Sequence, residues 1–110
     1  MKRMKKVYVA SQLRGDIEVN LIKARKYCRF AVSKEVIPLA PHVMFHSFLD
    51  DKVQEERDIG MLLGIELLKS CDELWVFGEI SVGVAAEIAE AERLNIPIYY
   101  FKENEIYDIR

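Results

Sequence analysis

The chain has 110 residues, 51% of them hydrophobic and 31% charged, with a formal net charge of -2. That size and balance fit one globular domain spanning 1–110 with a core of its own, and the slight acidity gives no general attraction to a nucleic-acid polymer. The basic start Met1-Lys2-Arg3-Met4-Lys5-Lys6 is followed only by Val7-Tyr8-Val9-Ala10. That run is too short for a signal-peptide core or a membrane span, so a cytoplasmic protein with no membrane partner is expected.

In chain order, residues 5–10 read as a first strand centred on Val7, Tyr8 and Val9. Ser11-Gln12-Leu13-Arg14-Gly15 forms the turn after it, and Asp16 is placed to cap a helix. Ile17, Leu21, Ala24, Cys28 and Ala31 then recur as one helical stripe. Residues 36–39 form a short strand near an edge, bracketed by Pro38 and Pro41. Residues 42–49 read as a loop rich in aromatic and histidine side chains. Asp50 and Asp51 open a long helix reaching Ser70, whose broad apolar face carries Ile59, Leu62, Leu63, Ile65, Leu67 and Leu68. Gly60 and Gly64, one turn apart on it, permit close packing. Cys28 and Cys71 fit reduced structural thiols better than a disulfide or a metal pair.

Residues 73–95 hold the chemistry. Glu73-Leu74-Trp75-Val76-Phe77 is an apolar run typical of a buried parallel strand, and Gly78 ends it. Ser81 stands at an N-cap, and the helix it opens runs to Leu94, where Asn95 and Pro97 stop it. Residues 97–101 form a fourth strand, and the polar tail offers a last short strand around Ile106, Tyr107 and Ile109. Strands alternating with helices imply an α/β, doubly wound, mostly parallel sheet of four or five strands, flavodoxin-like, with helices on both faces. Ligands bind such sheets at the carboxyl ends of the strands, beside the switch in strand order.

The sequence lacks a Gly-x-x-x-x-Gly-Lys phosphate loop, a Gly-x-Gly-x-x-Gly fingerprint and a His-Glu-x-x-His pair, which narrows the field. His42 and His46 have zinc spacing for a helix, but without a third ligand they fit a packed loop or a substrate wall. Arg14 is either a surface arginine or a phosphate ligand. Glu87 shares a helix with Glu90 and Glu92, which fits a solvated acidic face. Its place near the helix N-terminus favours a carboxylate held ionised by the helix dipole, the state a nucleophile needs.

Two segments sharpen this choice: Tyr8-Val9-Ala10-Ser11-Gln12-Leu13-Arg14-Gly15 and Ser81-Val82-Gly83-Val84-Ala85-Ala86-Glu87-Ile88-Ala89-Glu90-Ala91. They resemble the signature segments of the nucleoside 2-deoxyribosyltransferase superfamily, most closely its 2'-deoxynucleoside 5'-monophosphate N-glycosidases. The whole chain resembles an uncharacterised domain family of that superfamily. The resemblance implies Glu87 as the nucleophile on the anomeric carbon and Tyr8 as the group orienting it. It implies a 5'-phosphate held by Arg14, Gly15, Ser81 and the Gly83 amide, with Leu13 against the sugar. It further implies a small-molecule nucleotide as partner, no metal or organic cofactor, and self-association as a homodimer or larger homo-oligomer. The transferase branch has an aspartate where this chain has Ser81, and a hydroxyl there favours a nucleotide over a free nucleoside.

One departure bears on activity. The family places an acid on the helix before the third strand, eight residues ahead of the aspartate matching Asp72, and this chain has Gly64. That acid helps protonate the leaving base, assistance worth roughly 10²–10⁴-fold. Asp58, Glu66 and Glu79 are the acids considered as replacements. A non-catalytic nucleotide-binding module is therefore the alternative reading.

Overall fold

Among the described residues every strand is followed by a helix or helical turn, the order expected where short apolar runs alternate with stretches of helical period. The computed structural model describes residues 3–106. Strand β1 (Lys6–Ala10) leads through helix α1 (Ile17–Ser33) to β2 (Ile37–Leu39). Helices α2 (Pro41–Phe45) and α3 (Gln54–Lys69) then precede β3 (Glu73–Phe77), and α4 (Val82–Arg93) precedes β4 (Ile98–Phe101). A 3-10 turn, Glu103–Glu105, follows. The four strands form one parallel sheet in the order β2-β1-β3-β4.

The expected α/β architecture is present, with helices on both faces. Because side chains alternate along a strand, Val7, Val9, Trp75 and Phe77 meet Tyr27, Phe30 and Ala31 of α1 on one face. Tyr27 stacks on Phe77 with ring centroids 4.6 Å apart, and Phe30 meets Phe77 edge-on. On the other face Tyr8, Ala10, Leu74 and Val76 pack against Leu68 of α3 and Val84 and Ala91 of α4. Asp16 caps α1 by accepting from the Val19 amide at 3.2 Å, and Asn95 ends α4 in the left-handed conformation at φ 59°.

Charge fastens the amino ends of the central strands. Arg3 pairs with Asp72 at 2.9 Å, and the Lys6 amide donates to the same carboxylate at 2.8 Å. Lys5 Nζ and Trp75 Nε1 each donate to Glu73 at 2.8 Å, leaving no oxygen of this buried carboxylate unserved.

Several local expectations are corrected. The loop over residues 42–49 contains α2, which starts with Pro41 at its first position, where a missing N–H costs nothing. Helix α3 starts at Gln54, because Asp50 instead closes a turn by accepting from the Lys52 amide at 3.0 Å. On α1, Tyr27 and Phe30 carry the bulky burial, while Cys28 is only half-buried. The apolar face of α3 is not uniformly buried: Gly64 and Leu68 are, whereas Ile59, Leu62 and Leu63 are exposed. The tail contributes Ile106, buried after the 3-10 turn, while Tyr107 and Ile109 lie outside the described residues. Among the described residues no helix is long and apolar enough to cross a membrane.

The two sides of α3 differ in consequence. Leu68→Ala should lower the unfolding free energy by roughly 2–5 kcal/mol, as expected for a fully buried leucine. Leu62→Ala, at a position 70% exposed, should stay within about 0.5 kcal/mol. Urea denaturation of both variants measures the difference, and equal losses would contradict this placement of the helix.

Candidate active site

The chain leaves β1 for β2 on one side, then returns past β1 to pair β3 on the other. This reversal opens a crevice at the carboxyl ends of β1 and β3. A cavity of about 610 Å³ lies there, bounded by the turn after β1, helix α2, helix α3 and the first turns of α4.

The turn after β1 is shaped by side chains serving backbone acceptors. Asn20 Nδ2 donates to the Leu13 and Arg14 carbonyls at 2.9 and 3.2 Å, and Gln12 Nε2 donates to Arg14 O at 3.0 Å. Gly15 sits at φ 106°, a conformation that favours glycine. Leu13 and Arg14 thereby line the cavity, with Arg14 exposed to solvent. Gly15 does not line it and acts through the turn alone. Across the cavity, Ser81 caps α4 by accepting from the Val84 amide at 3.3 Å. Its proton remains available to a ligand, and the Val82 and Gly83 amides have no acceptor within the helix. Ser81 and Gly83 both line the cavity, on the same wall as Glu87.

Glu87 stands five residues beyond the first residue of α4, about 7.5 Å along the axis at the α-helical rise. Tyr8, without solvent exposure, donates its hydroxyl to Glu87 Oε2. Burial raises the Glu87 carboxyl from 4.5 to about 7, against the Tyr8 hydrogen bond, which favours the ionised form. The expectation of a carboxylate held ionised by the helix dipole is thus corrected. Glu87 lies beyond the first turn, where the dipole has faded, and burial raises its pKa. Burial and the adjacent Glu87 charge hold the Tyr8 phenol well above its ordinary value, so it stays a donor.

Gly64 gives the Tyr8 hydroxyl its room. A Cβ on Gly64 would lie 3.0 Å from the Tyr8 oxygen, tighter than an ordinary contact. No side chain, acidic or otherwise, fits there without moving Tyr8. Of the considered replacement acids, none lines this cavity: Asp58 accepts from Gln54 at 2.8 Å, Glu66 pairs with Lys69 at 3.0 Å, and Glu79 borders a different cavity. The acids that do line it besides Glu87 are Asp51 and Glu56, which sequence reasoning missed. Asp51 stands in the turn after α2 and Glu56 in the first turn of α3.

His42 and His46 line the cavity from α2 and the turn after it. His42 Nε2 bonds to the Ser11 carbonyl at 2.8 Å and must therefore carry the proton. Burial lowers its pKa further below the physiological range, so the ring is a neutral wall. Among the described residues no group of three or more His, Cys, Asp or Glu side chains could hold a metal ion.

These features define an α/β domain with a half-buried carboxylate held by a buried phenol at the switch point of a parallel sheet. The family described as a domain of unknown function (DUF7768) matches residues 5–101, and the chain belongs to that family. Among solved structures it is similar to the 2-deoxyribosyltransferase from the psychrotolerant bacterium Bacillus psychrosaccharolyticus. The two share 18% identity and a TM-score of 0.71, over 88% of this chain and 72% of that one. No curated protein matches.

The raised Glu87 pKa has a definite sign in stability. Between pH 4.5 and about 7 the folded state holds a proton that the unfolded chain has released, so stability falls as pH rises through that window. The full effect is on the order of 3 kcal/mol for a shift of this size. Glu87→Gln should abolish that decline, and its melting temperature should exceed the parent's above pH 7 while converging with it near pH 4. Parallel melting curves in both proteins would contradict the half-buried placement of Glu87. Gly64→Ala should displace the Tyr8 hydroxyl and, by weakening its bond to Glu87, raise the Glu87 pKa further, as carboxyl NMR titration would report.

Proposed function

We propose that the protein cleaves the N-glycosidic bond of a 2'-deoxynucleoside 5'-monophosphate, releasing the base to water or exchanging it for another. The observation supporting this most directly is one cavity lined by both the Tyr8–Glu87 pair and the start of α4 at Ser81 and Gly83, whose amides lack intrahelical acceptors. In this reading a Glu87 carboxylate oxygen attacks C1'. The C1'–N bond breaks, and its electron pair leaves with the base, whose nitrogen takes up a proton from water. Water, or a second base, then opens the glycosyl ester with overall retention, as in retaining glycosidases. Tyr8 holds Glu87 in position and stabilises its charge. Arg14, Ser81 and the Gly83 amide take the 5'-phosphate, Gly15 shapes their turn, and Leu13 packs on the sugar. The likeness of the fold to a 2-deoxyribosyltransferase is consistent with this chemistry.

A non-catalytic nucleotide-binding module is the second reading, favoured by Gly64, which leaves no acid beside Tyr8. Chromatography of deoxynucleoside monophosphates for free base separates the two: binding without base release supports the module. The proposal also includes self-association as a homodimer or larger homo-oligomer, which a monomer in light scattering would contradict. It places the protein in the cytoplasm, where its two free thiols stay reduced.

The roles separate in one mutant series. Glu87→Gln should abolish base release while preserving nucleotide binding; Glu90→Gln, which only breaks the 2.7 Å pair with Arg93, should change neither. Arg14→Ala should weaken the nucleotide by about tenfold and less at high salt, because the guanidinium is exposed. Ser81→Ala should cost less, a neutral donor being lost. The rate should rise with pH through about 7 as Glu87 ionises, and Tyr8→Phe should move that limb to higher pH. If Glu87→Gln and Glu90→Gln prove indistinguishable in an active preparation, Glu87 is not the nucleophile.

A further inference from the structure

One face of α3 lines the cavity from Arg57 through Gly60 and Met61 to Gly64 and Ile65, on successive turns. Gly64 lies beside the Tyr8 hydroxyl. Arg57 stands seven residues before it, about 10 Å along the axis at the α-helical rise. Its Nε donates to the Asp51 carbonyl at 3.1 Å and its Nη1 to Gln54 Oε1 at 3.0 Å, which fixes the turn carrying Asp51. The Asp51 side chain lines the cavity and is 19% exposed. Its nearest cation, Arg57 Nε, is 3.9 Å from Oδ1, beyond hydrogen-bond reach. Among the described residues the Asp51 carboxylate accepts no hydrogen bond. A carboxylate mostly withdrawn from water and lacking a donor is completed by a ligand that brings one.

His42 adds a second acceptor nearby. Its Nε2 carries the proton given to Ser11, which leaves Nδ1 a lone pair, and the Asp51 charge acts on this ring. Glu56, the other acid of the cavity, is tied to the chain, its Oε1 accepting from the Asp50 amide at 2.8 Å.

We propose that Asp51 selects nucleotides whose base carries an amino group at the edge opposite the glycosidic nitrogen, as cytosine and adenine do. This rests on the nucleotide reading of the cavity and holds whether the base is cleaved or only bound. With the phosphate at Ser81 and C1' at Glu87, the base extends along α3. The interval of about 10 Å between Gly64 and Arg57 is the reach of one base with a contact at either end. A carboxylate accepts from such an amino group, as in the reading of cytosine N4 by acidic side chains. In uracil, thymine or hypoxanthine a carbonyl takes that place, and its lone pairs would face the Asp51 charge. Phe45, Leu49, Met61 and Ile65 supply apolar surface for the ring.

Calorimetric titration of Glu87→Gln protein, in which the base stays attached, tests this with two pairs of 2'-deoxynucleoside 5'-monophosphates. One pair carries adenine or unsubstituted purine, which differ only in the amino group; the other carries cytosine or uracil. The amino member of each pair should bind tighter by about tenfold or more, the effect of one hydrogen bond to a charged group. Adding Asp51→Asn should erase that preference without weakening the uracil nucleotide, which shows that the variant still folds and holds the phosphate. Glu56→Gln should keep the preference. A preference in one pair alone supports Asp51 as the selector of that base. Equal affinities within both pairs, tighter binding of uracil, or a preference that survives Asp51→Asn would overturn the inference, as would no binding of any of the four. Base release by the parent together with equal affinities would remove this inference and leave the cleavage proposal standing; an Asp51-dependent preference without base release would do the reverse.

Discussion

The structure turns on one hydrogen bond that crosses from sheet to helix. Tyr8 belongs to the central strand, faces α3 and α4, and has no exposure, yet its hydroxyl ends at the Glu87 carboxylate. A buried carboxyl without a donor would simply stay protonated; with this one it is poised near neutrality. The bond sets three requirements on the rest of the chain. Residue 64 must have no side chain, β1 must be central, and α4 must start close enough to β3 to bring its second turn over Tyr8.

The sheet order meets the last two requirements at once. Because β1 and β3 are neighbours, the turn carrying Leu13 and Arg14 faces the turn carrying Ser81 and Gly83. Residues some seventy positions apart in sequence thus share one cavity, while two of the helices that separate them in the chain, α2 and α3, supply walls. The same geometry also leaves room on the opposite face, where α1 stands off from the strand ends.

The strands β1 and β3 were legible because both are continuous apolar runs, and Asp16, Ser81 and Asn95 marked helix ends by their own chemistry. The five residues of α2 were not, since a single turn mixing His42, Val43 and Phe45 has no period to read. The α1 stripe was drawn through small residues and missed Tyr27 and Phe30, whose burial depends on strands still distant in sequence. The two segments marked residues that the fold brings to one cavity, Gly15 excepted, but the effect of burial on Glu87 was not legible. Distance from a helix end can be counted along the chain, whereas desolvation is set by Tyr8 and by packing that only the folded chain contains. Gly64 shows the same limit: in sequence it is an acid that is missing, and in the fold it is the clearance for a hydroxyl.

The charges that fasten the amino ends of β1 and β3 lie at the opposite end of the same strands from both cavities. Arg3 is 70% exposed in its pair with Asp72, so dissolved salt screens that attachment readily. The Tyr8–Glu87 bond is part-buried and responds to protons instead. Ionic strength and acidity therefore act on different ends of one sheet. A salt-loosened amino end would fray like an untied rope end while the cavity end kept its shape, and local exchange rates along β1 would grade from one terminus to the other.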